Sequence, residues 1–247
     1  MLKYIILGII QGLTEFFPVS SSGHLIIAQK LLGVAEHVVV VSVVLHLGTA
    51  LALAIFFFKD ILNLLWNKRS LVYIIVVTLV TGTIGILGKD FFEGLFNSPR
   101  LVAIALIFTG IILILTKNFM QAKRNVLNIN DAFVLGLAQG VAIIPGISRS
   151  GITISALLFK GLDRETSFKF AFLASIPAVF GAAILEAKEI GLACNLVSGN
   201  LIIGFIFSLL TGLLSLRIFK IILGKAKLYY FGYYCIIVAV VTLLFIR

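Results

Sequence analysis

Long apolar runs separated by short polar stretches dominate the pattern of this chain. Each run approaches the roughly 20 residues that a helix needs to cross a hydrocarbon core. Six segments fit this description and are interpreted as full transmembrane helices: 38–58, 71–88, 101–116, 168–186, 200–218 and 228–246. The pattern therefore predicts an all-α polytopic membrane protein.

Two further apolar regions are interrupted halfway along. The region 2–32 breaks at Pro18–Gly23, and the region 132–161 breaks at Pro145–Gly151. Each break leaves a short helix on both sides of a turn rich in proline, serine and glycine. Such a pattern is typical of a re-entrant hairpin, which dips into the membrane and returns.

The two broken regions resemble each other in sequence. Two blocks recur in the same order, LGIIQG at 7–12 as LGLAQG at 135–140 and SSSG at 20–23 as SRSG at 148–151. Three spans follow each hairpin, so the chain divides into one repeat at 1–120 and another at 128–247. Because three is odd, the second repeat must lie upside down. We predict an inverted repeat of a re-entrant helical hairpin plus three transmembrane helices, within one membrane domain.

Composition supports this interpretation and explains the charge. Apolar residues make up 61% of the 247 and charged residues 12%, where soluble domains have about 25% charged residues. The net charge of +10 is attributed to topology rather than to nucleic acid binding, because basic residues collect in cytoplasmic loops. Basic clusters lie in the loops 59–70, 117–131 and 217–227. Placing these in the cytoplasm puts both termini and the loops 89–100 and 187–199 outside, so the first hairpin enters from the extracytoplasmic side.

Inverted hairpins should bring their tips together near the middle of the bilayer, where the first tip carries Glu15 and the second Arg149. An ionisable residue in an apolar helix costs about 2.5–3.5 kcal/mol on insertion scales and is functional by default. Gln11 lies four residues before Glu15, on the same helix face. Arg149 carries a planar guanidinium suited to phosphate oxygens, and the second arm of each hairpin points its N-terminus at the tip. These features predict a phosphate or diphosphate site.

Hydroxyl groups surround both tips. We expect Ser20 or Ser21 to be a nucleophile or a direct ligand, and Ser22 and Ser150 to cap the half-helices. Two further hydroxyl residues of the second tip, Ser148 and Thr153, are also candidates for phosphate binding.

Histidine, cysteine and glycine positions divide between function and structure. His24 lies at a polar tip and is predicted to be functional, whereas His46, in the middle of a span, is interpreted as a core histidine and His37 as a loop residue. The cysteines, Cys194 and Cys235, have neither disulfide nor metal-site spacing. Small residues four apart, Gly8 with Gly12 and Gly136 with Gly140, indicate close helix packing.

The two tip sequences resemble the signatures of a known family. The segment 11–24, QGLTEFFPVSSSGH, is similar to the first signature of the undecaprenyl-diphosphate phosphatases, also called bacitracin resistance proteins, and 145–153, PGISRSGIT, is similar to the second. The resemblance covers essentially the whole chain. It implies an enzyme of the bacterial cytoplasmic (inner) membrane that regenerates the lipid carrier of peptidoglycan synthesis, confers bacitracin resistance and requires a divalent cation, Mg²⁺ or Ca²⁺.

The resemblance also implies roles for individual residues. Glu15, His24 and Arg149 match the family's essential acidic, histidine and arginine positions, and three hydroxyl residues match positions implicated in catalysis or phosphate binding: Ser21, Ser148 and Thr153. One departure is Gln11, where some members have glutamate. This weakens a metal site held by two carboxylates and leaves Glu15 as the expected metal ligand.

Several alternatives remain open at this stage. The attacking group is Ser21 with His24 as base, a water activated by His24 or Glu15, or His24 itself. The expected partners are a polyprenyl diphosphate and membrane lipids, and a homodimer is left open. A secondary transporter or lipid flippase is the rival function, since inverted repeats and charged midplane sites are also transporter features.

Overall fold

The computed structural model describes residues 1–34, 38–95, 98–189 and 199–245. Within these residues the chain is all-helical, with twelve α-helices and one short 3-10 helix at Thr116–Phe119. The helices are α1 (Leu2–Phe16), α2 (Ser21–Leu31), α3 (Val38–Phe56), α4 (Phe58–Trp66), α5 (Lys68–Leu87), α6 (Lys89–Leu95), α7 (Pro99–Leu115), α8 (Ile129–Val141), α9 (Arg149–Phe159), α10 (Arg164–Glu189), α11 (Gly199–Gly224) and α12 (Tyr229–Phe245). His37, Cys194 and most of the predicted loop 187–199 lie outside the described residues.

Five helices of the described chain are long and apolar enough to cross a membrane, and they correspond to five of the six predicted spans. The candidate spans are Val39–Phe56, Lys68–Leu87, Arg100–Phe119, Arg164–Leu185 and Gly199–Gly224. The sixth predicted span, 228–246, is the apolar helix α12, whose 17 residues place it at the short end of the range for a transmembrane helix.

Two of the predicted loops are partly helical, which corrects the sequence interpretation. The supposed polar loop 59–70 contains most of α4, and the loop 89–100 contains α6. In α4 the apolar residues Ile61 and Leu64 recur at helical spacing and pack against the core, so the segment forms a helix. At nine residues it is too short to cross a bilayer.

Both predicted hairpins are pairs of short helices. The first consists of α1 and α2, which pack against each other, and the second of α8 and α9, which do the same. The turn of the second hairpin passes through Gly146, whose φ of +94° lies in the left-handed region. A Cβ at this glycine would lie 2.3 Å from the carbonyl oxygen of Val102, so only glycine lets the turn approach α7 this closely.

Small residues set the positions of the first arms, as the sequence predicts. A Cβ on Gly8 would lie 2.4 Å from the carbonyl oxygen of Gly204, and one on Gly12 would lie 2.7 Å from the backbone nitrogen of Gly212. The helix α1 therefore lies backbone to backbone against α11. The arm α8 packs closely against α5, where a Cβ on Gly136 would lie 2.8 Å from Cβ of Val80 and 3.2 Å from Val77 O.

The helices α7 and α12 hold the two hairpin turns. Thr109 of α7 donates a hydrogen bond to Gly146 O at 3.3 Å and accepts one from Ser148 N at 3.2 Å. On α12, the buried Cys235 donates to Pro18 O at 3.4 Å. The two helices also pack closely on each other at Gly110 and Gly232, and one crossing therefore supports both turns.

Candidate active site

The two hairpin turns contact each other in the interior of the molecule. A Cβ at Gly151, in the first turn of α9, would lie 3.2 Å from Cβ of Pro18. Val102 of α7 approaches both turns, at Gly23 and at Gly146. The structure thus brings together the polar residues of the two sequence motifs, which are more than a hundred positions apart.

Glu15 is the centre of the resulting cluster. Its Oε2 accepts hydrogen bonds from Gln11 Nε2 at 3.0 Å and from Ser21 Oγ at 2.6 Å. The carboxylate is largely buried, with 9% of the side chain exposed. Gln11 is fully buried, and its Nε2 also lies 3.5 Å from Thr49 Oγ1. A buried carboxylate that accepts the hydroxyl of Ser21 is placed to take its proton.

Arg149 faces the same carboxylate but forms no hydrogen bond with it. Its Nη1 lies 3.8 Å from Glu15 Oε1, beyond hydrogen-bond distance. About a third of the side chain is exposed. Since a guanidinium has five N–H donors, Arg149 can neutralise part of the carboxylate charge and still bind an anion.

A cleft opens beside Glu15 and Arg149. Its polar lining continues through Ser150 and Thr153. The rest of the lining is largely apolar and includes Phe172. A cleft with convergent polar groups on one part and apolar side chains on the rest fits a ligand that joins a charged head to a hydrocarbon.

His46 belongs to the cluster, although the sequence interpretation assigned it to the core. Its Nε2 lies 3.6 Å from Glu15 Oε2, and its Nδ1 lies 2.8 Å from Ser42 O. The structure therefore adds His46 to the candidate residues around Glu15. The signal was present: His46 is an ionisable residue in an apolar span, which is the argument that singled out Glu15, and Thr49 lies one turn further along the same face.

His24 has a different environment from the one the sequence suggests. Its Nδ1 lies 2.8 Å from Ser20 O, and its Nε2 lies 2.8 Å from the hydroxyl of Tyr234 on α12. The imidazole and the phenol are stacked, with 12° between their planes. The ring is thus engaged at the edge of the cluster, while the hydroxyl of Ser21 is bonded to Glu15.

The start of α2 is open to an anion. Ser20 is the N-cap residue, with φ of +66°, and its side chain makes no capping hydrogen bond; its Oγ lies 3.3 Å from Ser22 Oγ. No described residue accepts a hydrogen bond from the backbone N–H of Ser21, Ser22 or Gly23. The prediction that Ser22 is a cap is wrong, because the cap position is Ser20. Unpaired N–H groups at a helix start are donors for phosphate oxygens.

The start of α9 is closed by its own cap. Ser148 is the N-cap, and its Oγ accepts the N–H of Gly151 at 3.2 Å. The predicted cap Ser150 is instead a buried residue of the first turn, with its Oγ 3.3 Å from Ser148 Oγ. Thr153 donates to Arg149 O at 2.7 Å, so its hydroxyl is bound to the helix backbone, although the residue also lines the cleft.

No group of three histidine, cysteine, aspartate or glutamate side chains that could hold a metal ion occurs among the described residues. The chemistry of the cluster nevertheless suits a hard cation. Gln11 Oε1 is buried and has no hydrogen-bond partner in the part of the chain described. With the carboxylate of Glu15 it gives two oxygen donors, the type that Mg²⁺ and Ca²⁺ prefer.

The fold and the cluster together define a class: a multi-pass helical membrane protein with a carboxylate, serine and guanidinium site between two helical hairpins. The family described as bacitracin resistance protein BacA matches residues 4–241. The chain therefore belongs to the bacitracin resistance protein family.

Three curated relatives align with nearly the whole of this chain and with nearly the whole of their own sequences. An undecaprenyl-diphosphatase of Halothermothrix orenii is 42% identical over 98% of this chain and 96% of its own length. The proteins of that name from Carboxydothermus hydrogenoformans and Alkaliphilus metalliredigens are 44% and 41% identical, covering 97% and 98% of this chain and 95% and 98% of their own lengths.

Proposed function

We propose that this protein hydrolyses undecaprenyl diphosphate to undecaprenyl phosphate and inorganic phosphate in the bacterial cytoplasmic membrane. The observation that carries the proposal is the hydrogen bond of 2.6 Å from Ser21 Oγ to Glu15 Oε2, beside a guanidinium that retains donors for phosphate. The family relationship and the names of the relatives agree with this activity.

Ser21 is the attacking group that the geometry supports best. In the first step its Oγ bonds to the distal phosphorus, its proton passes to Glu15, and undecaprenyl phosphate leaves with the electron pair of the broken P–O bond. In the second step water attacks the phosphoserine, Glu15 returns the proton to Ser21 Oγ, and both hydrogens of the water leave with inorganic phosphate. His24 is less suited to attack, because both of its ring nitrogens are engaged.

Charge on the phosphates is met by two kinds of donor. Arg149 presents a fork suited to two phosphate oxygens, and the uncapped start of α2 presents backbone N–H groups next to Ser21. Preorganised donors in a site that excludes water stabilise charge that develops in the transition state. The polar lining proposed to bind the head group is completed by five hydroxyl residues: Ser20, Ser22, Ser148, Ser150 and Thr153.

A divalent cation, Mg²⁺ or Ca²⁺, is part of the proposal. Glu15 and Gln11 Oε1 would hold it from the protein side, with phosphate oxygens of the substrate as further ligands. When bound, it would neutralise phosphate charge as a Lewis acid. Gln11 supplies a neutral ligand, so affinity for the free ion should be low until the substrate binds.

The architecture that we propose is the inverted repeat of a re-entrant hairpin plus three transmembrane helices, with repeats at 1–120 and 128–247. Its support is reciprocal packing: α1 of the first repeat lies against α11 of the second, and α8 of the second lies against α5 of the first. In this arrangement the prenyl chain stays in the bilayer, and the loop charges favour a site open to the extracytoplasmic side.

The test is phosphate release from undecaprenyl diphosphate by detergent-purified protein, with and without EDTA. We expect metal-dependent release that Glu15→Ala and Ser21→Ala abolish and that Arg149→Lys reduces strongly, because a point charge loses the bidentate geometry. Glu165→Gln is the matched control, since Glu165 is 80% exposed. Rapid acid quench with labelled substrate should trap a phosphoenzyme in the wild type and none in Ser21→Ala. If folded wild-type protein released no phosphate, the alternative function of a secondary transporter or lipid flippase would be favoured. Lipid flux in proteoliposomes would then test it.

A further inference from the structure

His24 and Tyr234 form a pair that neither sequence motif explains. The hydroxyl of Tyr234, on the last helix, lies 2.8 Å from His24 Nε2, and the two rings stack with 5.7 Å between centroids. The partner residues are 210 positions apart. Tyr234 lies on α12 and His24 on α2, so the contact ties the last helix to the first hairpin.

The two hydrogen bonds of the imidazole define its tautomer. A backbone carbonyl only accepts, so the bond to Ser20 O requires the hydrogen on Nδ1. The neutral ring then has a lone pair on Nε2, and Tyr234 must donate its O–H to it. For the neutral ring this is the one arrangement of hydrogens that satisfies both contacts, and it leaves neither nitrogen available for the proton of Ser21.

The carbonyl held by His24 belongs to a strained residue. Ser20 has φ of +66° and ψ of +96°, a conformation that serine rarely adopts, and its side chain provides no cap. Its carbonyl oxygen receives the His24 side chain at 2.8 Å and the His24 backbone N–H at 3.4 Å. The following residue, Ser21, is the one whose Oγ meets Glu15. The imidazole thus fixes the turn that aims the hydroxyl.

We infer that Tyr234 is a positioning residue: it holds the neutral imidazole of His24, which in turn fixes the turn that presents Ser21. The inference rests on the proposed phosphatase function and extends it to a residue of α12. It also assigns His24 a positioning role in place of proton transfer.

Tyr234→Phe tests the first contact, because it keeps the ring stack and removes only the hydroxyl. We expect kcat to fall about five- to tenfold, the loss of one hydrogen bond, with KM for undecaprenyl diphosphate unchanged. Tyr233→Phe is the matched control: it changes the adjacent tyrosine, whose ring packs on Tyr229, and should leave kcat unchanged. In ¹⁵N NMR of histidine-labelled protein, the His24 Nε2 resonance should shift toward that of an unbonded imine nitrogen in Tyr234→Phe only.

The second contact is tested at His24 itself. Asparagine places an amide N–H near the position of Nδ1 and can still bind Ser20 O, whereas glutamine reaches the position of Nε2. A positioning role predicts that His24→Asn keeps activity within about tenfold of wild type and exceeds His24→Gln. Tyr234→Phe should add nothing to His24→Asn, because the shared contact is already gone.

Wild-type kcat in Tyr234→Phe, with an unmoved Nε2 resonance, would overturn the inference. So would His24→Asn as inactive as His24→Ala, since proton transfer would then be the role of the ring. Failure of the phosphatase function itself is distinguishable, because wild-type protein would release no phosphate while the NMR comparison still reports on the pair.

Discussion

Gly12→Ala tests the close contact between α1 and α11 on which the site depends. A Cβ at Gly12 would lie 1.9 Å from Thr211 Oγ1, and 2.7 Å from both Gly212 N and Ser208 O. The backbone atoms cannot rotate away, so the helices must separate by about 0.7 Å to restore ordinary contact near 3.4 Å. Overpacking of this kind costs about 1–3 kcal/mol, and the gain in helix propensity is at most about 1 kcal/mol.

The expected net result is a loss of up to about 2 kcal/mol of stability, seen as a melting temperature lower by up to about 8 °C. Activity should fall at least tenfold, because Glu15 lies on the same helix one turn away and small displacements of catalytic groups are costly. Gly82→Ala is the control, since no atom lies within 4 Å of a Cβ there. Thr211→Ala should relieve only part of the effect, because the backbone contacts remain. Wild-type stability and activity in Gly12→Ala would refute the reasoning.

Two further substitutions test contacts at and beyond the site. His46→Leu should lower kcat at least tenfold, because it removes the polar partner 3.6 Å from Glu15 Oε2, whereas His46→Gln should retain most activity. Wild-type activity in both variants would show that the contact is irrelevant. Asp131→Asn should destabilise the fold by about 1–2 kcal/mol in thermal unfolding, since it weakens the two charge-assisted hydrogen bonds that Asp131 accepts from Arg124. An unchanged melting temperature would contradict this.

Helix packing was the most predictable part of the fold. The pair Gly8 and Gly12 and the pair Gly136 and Gly140 predict close approach, and both pairs lie where a Cβ would collide with a neighbouring helix. Such pairs are informative because small size at helical spacing has few other uses in a membrane. Which helix each pair meets was not predictable, since partner choice depends on the whole arrangement rather than on local spacing.

The centre of the site was predictable, but its edges were not. Gln11, Glu15 and Arg149 stand out because polar groups in apolar helices need a reason, and the structure brings them together. His46 satisfies the same criterion and was missed, because it lies in an unbroken span rather than in a motif. Tyr234 gives no local signal at all, since tyrosine near a helix end is common in membrane proteins.

The two hairpin tips are chemically unequal, and the cap residues show it. The start of α9 is closed by Ser148, which occupies the N–H of Gly151, whereas the start of α2 has no side-chain cap. In the proposed mechanism the two tips therefore have different roles: one offers N–H groups and the hydroxyl of Ser21, and the other offers a stable platform for Arg149. Ser148→Ala should cost about 1 kcal/mol of stability and lower kcat/KM far less than Ser21→Ala does. A loss of activity in Ser148→Ala as complete as that in Ser21→Ala, in protein of wild-type stability, would mean that both tips bind phosphate equally.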